Sequence, residues 1–281
     1  RYEGRVWIRV GPRRAIATME EERRLSEKRR SRDLPFDLRS VFSATLDDLD
    51  VDLFRRIYLP SSLDPDILVE NERAIEHQLS STRFIVQSIP TILGILVVGK
   101  APRQFVPCAY IQFLRIDGCE LTDPIRDSKE IGGPLQEMLQ RLDDIFQAHI
   151  SIVSDITSQS AEIRQPDYPI AALRQLAYNA VLHRTYDATN APVRITWFSD
   201  RIEIYSPGGP YGQVNKDNFG KQGITDYRNA YLAEAMKNLG YVQRFGLGIP
   251  LACKALRENG NLRPEFSAED AYILVTIRRR L

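Results

Sequence analysis

Residues 168–186 read YPIAALRQLAYNAVLHRTY, and the reading of the C-terminal half turns on them. Leu173, Leu176, Ala177, Ala180 and Val181 recur at the three-and-four spacing of one buried helical face. Gln175 and Asn179 stand one turn apart beside that stripe, so they project together toward whatever the helix borders. A short amide oxygen at a helix edge can serve a hard cation such as magnesium. It can equally bond a neighbouring loop, and the helix by itself does not choose.

The residues that follow narrow the choice. Val193 to Phe198 and Ile202 to Tyr205 alternate with period two around a Ser199–Arg201 turn, which predicts a β-hairpin. The second strand runs into Ser206, Pro207, Gly208 and Gly209. From Ser206 to Arg228 about twenty residues carry five glycines and little periodicity, a length that is usually functional inside a compact domain. A helix is expected from Tyr231 to Leu239. Arg244, Gly246, Leu247 and Gly248 lead into another helix, Pro250 to about Asn259, and Tyr272 to Ile277 is a final strand. Glycines let main chain approach a ligand closely, and free amides at a helix start attract anions. A lone Gly-x-Gly is a weak signal. An Asn-bearing helix, a strand ending in Pro-Gly-Gly, a glycine-rich loop and a Gly-x-Gly helix start, in that order, are more specific.

Upstream, Arg5 to Val10 alternate as a strand whose partners are expected before Arg1, so the chain reads as a fragment. Thr18 and Glu21 form a capping-box pattern ahead of a helix rich in Arg and Lys from Arg23 to Arg32. That helix is either a solvated face or a phosphate-contacting one. A second helix is expected from Thr45 to about Leu59, its Asp47, Asp48, Asp50 and Asp52 capping the start and holding no metal. A third is expected from Asp64-Pro65 to about Leu79, and the three together suggest a winged-helix-like module. Thr91 to Val98 is apolar throughout and fits a buried strand or a buried helix. Tyr110 to Ile116 reads as a strand, and a long helix is expected after Pro134, to about Ser158.

Hydrophobic content of 43% and charged content of 27% in 281 residues fit a soluble globular chain, and a net charge of +1 gives no global case for nucleic acid. Cys108, Cys119 and Cys253 lack metal or disulfide spacing and read as small core residues. Neither a membrane span nor a signal peptide is visible, which points to the cytoplasm. The fold class is α+β. Three parts are expected: 1–34, a helix-rich 35–160, and 161–281 as a sandwich on a mixed, mostly antiparallel sheet.

The quoted motifs, with His183-Arg184, Asn190–Pro192, Tyr227–Asn229, Gly240–Ile249 and Asn259–Asn261, resemble the GHKL (Bergerat) ATPase fold. More closely, the chain is similar to a bacterial family of transcriptional regulators and RecG-related ATP-binding proteins, which join a Schlafen-AlbA-type domain to such an ATPase-like domain. Over 1–165 the likeness rests on Arg9–Gly11 and the Glu-rich helix after it, and on Pro90-Thr91 to Gly99-Lys100. The resemblance implies ATP and magnesium as ligands, with Asn179 as the magnesium ligand. It places Pro207, Gly208 and Gly209 near adenine, Arg244, Gly246, Leu247 and Gly248 at the phosphates, and a lid at 210–228. Two positions depart from the family. Gln175 stands where hydrolysing members carry a glutamate base, and an amide cannot accept that proton. Ser206 stands in place of the adenine-reading aspartate. Arg184 is read as a phosphate contact or a helix-end residue.

The reading that follows is a nucleotide-responsive regulator with little or no hydrolysis. Its N-terminal part would meet DNA, RNA or a partner, and a second copy of the chain, in a homo-oligomer, is among the expected partners. The alternatives are a Schlafen-like nuclease or helicase-related protein, and a degenerate ATPase-like domain used only for assembly.

Overall fold

The alternation of Val193, Ile195 and Trp197 against Ile202 and Ile204 puts one apolar face on a hairpin, and the rest of the architecture covers that face. The computed structural model describes residues 5–10, 12–18, 21–22, 24–25, 34–63, 73–155, 163–187, 189–221, 223–243 and 245–280. Its strands are β1 (Trp7–Val10), β2 (Arg13–Ile16), β3 (Ile85–Val86), β4 (Ile89–Pro90), β5 (Tyr110–Ile116), β6 (Ile125–Gly132), β7 (Ile152–Asp155), β8 (Ile163–Pro166), β9 (Val193–Trp197), β10 (Arg201–Pro207), β11 (Glu265–Ala268) and β12 (Tyr272–Arg278). Helical segments are α1 (51–62), α2 (Ile75–Ser81), α3 (Ile92–Val98), α4 (Pro102–Phe105), α5 (Leu135–His149), α6 (Ile170–His183), α7 (Ala230–Asn238) and α8 (Gly248–Glu258).

The chain is α+β, built on a six-stranded mixed sheet in the order β11-β12-β10-β9-β5-β6. Every pairing is antiparallel except β5 with β9, where Phe113 lies beside Ile195. The sheet thus takes β5 and β6 from the stretch expected as a middle region and the other strands from the C-terminal stretch. Helices α5, α6 and α8 cover its apolar face, and one continuous core runs from Leu38 to Ile277. On the opposite face, Arg194 stacks over Tyr205 at 4.3 Å.

Several expectations are corrected. The N-terminal strand finds a partner downstream: Trp7 pairs with Ile16 and Val10 with Arg13. The long helix stops at His149, because Ile150, Ile152 and Val153 favour extended backbone and Ile152–Asp155 pairs with Ile163–Pro166. Residues 91–98 form a helix, with Thr91 as N-cap accepting from Gly94 N at 3.1 Å. They are apolar all round because the helix is buried all round. The segment after Thr45 is a short 3-10 turn, Leu46–Asp48, followed by α1, which carries a π-turn at Phe54–Tyr58. The helix start at Asp64-Pro65 and most of the basic stretch 23–32 lie outside the described residues. Of the cysteines only Cys108 is buried. The Thr18 and Glu21 capping box is present, its two reciprocal bonds measuring 2.8 and 3.2 Å.

One clamp joins distant parts of the chain. Buried Asp37 accepts from the amides of Tyr231 and Leu232, at 2.8 and 3.0 Å, and so caps α7 from 194 residues away in sequence. Arg39 reaches Asp187 at 3.1 Å nearby, and Arg83 lies over the Tyr231 ring. Asp37→Ala leaves two helix-start amides unpaired, so equilibrium denaturation should register a loss of about 1–2 kcal/mol.

Candidate functional site

Helix α6 buries Leu173, Leu176, Ala177, Ala180 and Val181, as its periodicity requires, and leaves Asn179 half-buried at the edge of a crevice. The opposite wall is the start of α8. A Cβ placed on Gly248 would lie 2.6 Å from Asn179 Nδ2, so only glycine lets the two walls meet here. The N-cap of α8, Leu247, makes no side-chain capping bond. The first amides of the helix have no intrahelical acceptor, and Gly248, Ile249 and Pro250 line the crevice. Gly246 lies on the same rim, beside Thr225.

The third wall is the end of β10. Ser206 Oγ donates to Ala180 O at 2.9 Å, tying the strand to α6. Pro207 O accepts from Thr185 N at 2.8 Å, and Gly208 N donates to Ala271 O at 2.7 Å. At Gly209 a Cβ would sit 2.3 Å from Glu269 O, so the turn closes on main chain. Between the walls lies a cavity of about 150 Å³, its floor formed by Leu176, Ala180, Ile204, Val242, Ile273 and Val275.

The segment 210–228 lies across this cavity. Lys216 bonds Glu269 and Asp270 at 3.0 and 3.1 Å, and both carboxylates raise its pKa. Phe219 packs on Phe266 with ring centroids 5.6 Å apart. Asp226 accepts from Gln213 N at 3.1 Å, and Arg228 donates to Gly209 O at 3.0 Å. Lys221, Thr225, Asp226 and Tyr227 reach the cavity from this loop, and Gln243 from the approach to α8. The sequence reading did not find them. A loop without periodicity carries no signal for which side chains turn inward.

Other expected residues stand elsewhere. Arg184 is 1% exposed and faces away from the crevice. Its guanidinium donates to the carbonyls of Thr185, Cys108 and Ala191, so the helix-end reading replaces the phosphate contact. Gln175 sits one turn before Asn179 but does not line the cavity. Arg244 lies outside the described residues. Asn229 does not cap its own helix. Its Nδ2 donates to Leu182 O and Arg184 O, at 2.7 and 2.9 Å, closing the C-terminal end of α6. Among the described residues no group of three or more His, Cys, Asp or Glu could hold a metal.

His183 stacks on Tyr227, with ring centroids 5.4 Å apart. Desolvation, aided by the nearby Arg228 charge and opposed by Asp226, pulls its pKa from 6.5 down to about 4. Between those values the unfolded chain holds a proton that the folded chain does not. Stability should therefore fall as pH drops from 6.5 toward 4, by about 3 kcal/mol at most. His183→Gln should flatten that slope in denaturation measured across the window.

Residues 190–277 match the family described as "Putative ATP-dependent DNA helicase recG C-terminal". The match takes in the β-hairpin, the Pro-Gly-Gly turn, the segment 210–228 and the Gly-x-Gly helix start, and it begins after α6. No curated protein matches the sequence. Among solved structures, the DIP2311 protein from Corynebacterium diphtheriae has a similar fold, with a TM-score of 0.65 at 19% identity. The likeness covers 98% of this chain, which spans 54% of that one. No helix among the described residues is long and apolar enough to cross a membrane. The C-terminal part of the chain is thus an ATPase-like domain related to the RecG C terminus.

Proposed function

We propose that the crevice between α6, α8 and the end of β10 binds ATP with magnesium, and that nucleotide binding adjusts how the rest of the chain meets DNA or a protein partner. The observation that carries this reading is the approach of Asn179 to Gly248 at an uncapped helix start. A phosphate chain fits there, taking amide donors from α8 and a cation held by the Asn179 oxygen. Magnesium commonly uses few protein ligands and completes its shell with phosphate and water, so one amide oxygen is an adequate protein share. The apolar floor suits a nucleobase. A cavity of about 150 Å³ is too small for a whole nucleotide, so 210–228 must move to admit one. That segment runs directly into α7, whose first turn Asp37 holds. Its movement thereby reaches the region 35–160.

Gln175 stands where a base would be needed, and its amide cannot take a proton from water. Turnover is therefore expected to be slight, and binding would be the signal. Titration calorimetry should give saturable, magnesium-dependent ATP binding. Asn179→Ala should weaken it tenfold or more, and Gly248→Ala should do the same by pushing the amide aside. No saturation at millimolar ATP would overturn the proposal. ATP hydrolysis at rates typical of dedicated ATPases would show that another residue serves as base.

A second reading, a domain kept for assembly alone, is favoured by Ser206, whose proton is committed to Ala180 and which offers a base only its lone pairs. The same titration separates the two.

A further inference from the structure

Strand β6 is an outer strand of the six-stranded sheet. Among the described residues its main chain pairs only with β5, apart from Gly132 O, which also accepts from Arg141. An eight-residue strand with one free side presents a row of unpaired amides and carbonyls. Proteins commonly protect such edges with charge, and β6 is charged. The order of its charges is unusual: residues 125–131 read Ile-Arg-Asp-Ser-Lys-Glu-Ile. Read backward, the apolar ends and the central serine recur and every charge changes sign.

That antisymmetry has a geometric consequence. When the strand is set antiparallel to its own copy about Ser128, Asp127 falls opposite Lys129 and Arg126 opposite Glu130, each twice by symmetry. A shift of one residue sets Arg126 against Lys129 or Asp127 against Glu130. A shift of two sets Asp127 or Lys129 against its own copy. Parallel, in-register pairing sets each charge against itself. The charges therefore block every neighbouring register and favour one. The strand is regular from Asp127 to Gly132, so the two Asp127–Lys129 pairs fall on regular backbone, while the irregularity at Arg126, between the partners of Arg115 and Ile116, adjoins the Arg126–Glu130 pairs. In the single chain Asp127 meets Lys129 at 2.9 Å and the largely buried His149 at 3.1 Å, while Glu130 meets Arg103 at 2.8 Å and Arg126 meets Asp117 at 3.7 Å, both partly exposed pairs. The side chains of Lys129, Glu130 and Arg126 are 47–63% exposed and so stay within reach of a second copy.

We infer that a second copy of this chain docks on β6, antiparallel and centred on Ser128, joining two six-stranded sheets into one. The contact is isologous and narrow, so the dimer is in equilibrium with monomer.

Sedimentation velocity over a concentration series tests this. The unaltered chain should pass from monomer to dimer as concentration rises. Lys129→Glu puts an acid opposite Asp127, and Asp127→Lys puts a base opposite Lys129. Each variant alone should weaken dimerisation at least tenfold. An equimolar mixture of the two should recover it as a heterodimer, because every central pair is then again of opposite sign. Arg126→Glu with Glu130→Arg repeats the exchange without touching the Asp127–Lys129 pair. It keeps the test valid if the first two variants disturb the edge itself. A chain that stays monomeric to its solubility limit, a dimer indifferent to the single reversals, or mixtures that fail to recover in both exchanges would each overturn the proposal.

Discussion

The approach of Asn179 to Gly248 is the constraint on which the C-terminal architecture rests. Helices α6 and α8 can lie this close only because one side of the contact has no side chain. That closeness sets the start of α8 beside a polar group on α6, with an apolar floor behind. Larger residues at position 248 would separate the helices and fill the crevice with their own atoms. The apolar stripe of α6 holds the helix in register on the sheet, and Ser206, bonded to Ala180 O, fixes the strand end against it. The crevice is a consequence of packing, and its polar contents are few.

Around it the chain uses side chains to satisfy helix ends that belong to other elements. Asn229 closes the end of α6, Asp37 opens α7, and Arg184 gathers three carbonyls beneath the Tyr186 ring. Buried polar groups of this sort are stable only when partnered. Here the partners tie 35–39, 182–191 and 229–232 into one network beside the crevice. The segment 210–228 runs directly into groups that also hold the earlier part of the chain. The outer strand β6 is separated from β10, whose end walls the crevice, by β9 and β5.

Much of the fold was legible because its signals are local. The stripe on α6, the alternation of β9 and β10, the Thr18 and Glu21 capping box and the Gly-x-Gly ahead of α8 each depend on residues a few positions apart. The helix identity of 91–98 was not legible, since complete burial erases the periodicity that separates helix from strand. The end of α5 at His149 was missed because helical spacing continued past the point where a long-range strand pairing took over. The parallel pairing of β5 with β9 has no turn to announce it.

The candidate site divides in the same way. Sequence alone determined that an amide-bearing helix, a Pro-Gly-Gly strand end, a glycine-rich loop and a Gly-x-Gly helix start occur in one order, because each motif is carried by adjacent residues. Only the tertiary structure decided that Asn179 and Gly248 touch, that Ser206 gives its proton to Ala180, that Arg184 turns into the core, and that Lys221 and Asp226 turn toward the crevice. Those outcomes depend on which distant main-chain groups come within hydrogen-bonding reach, and the packing of the whole chain sets that distance.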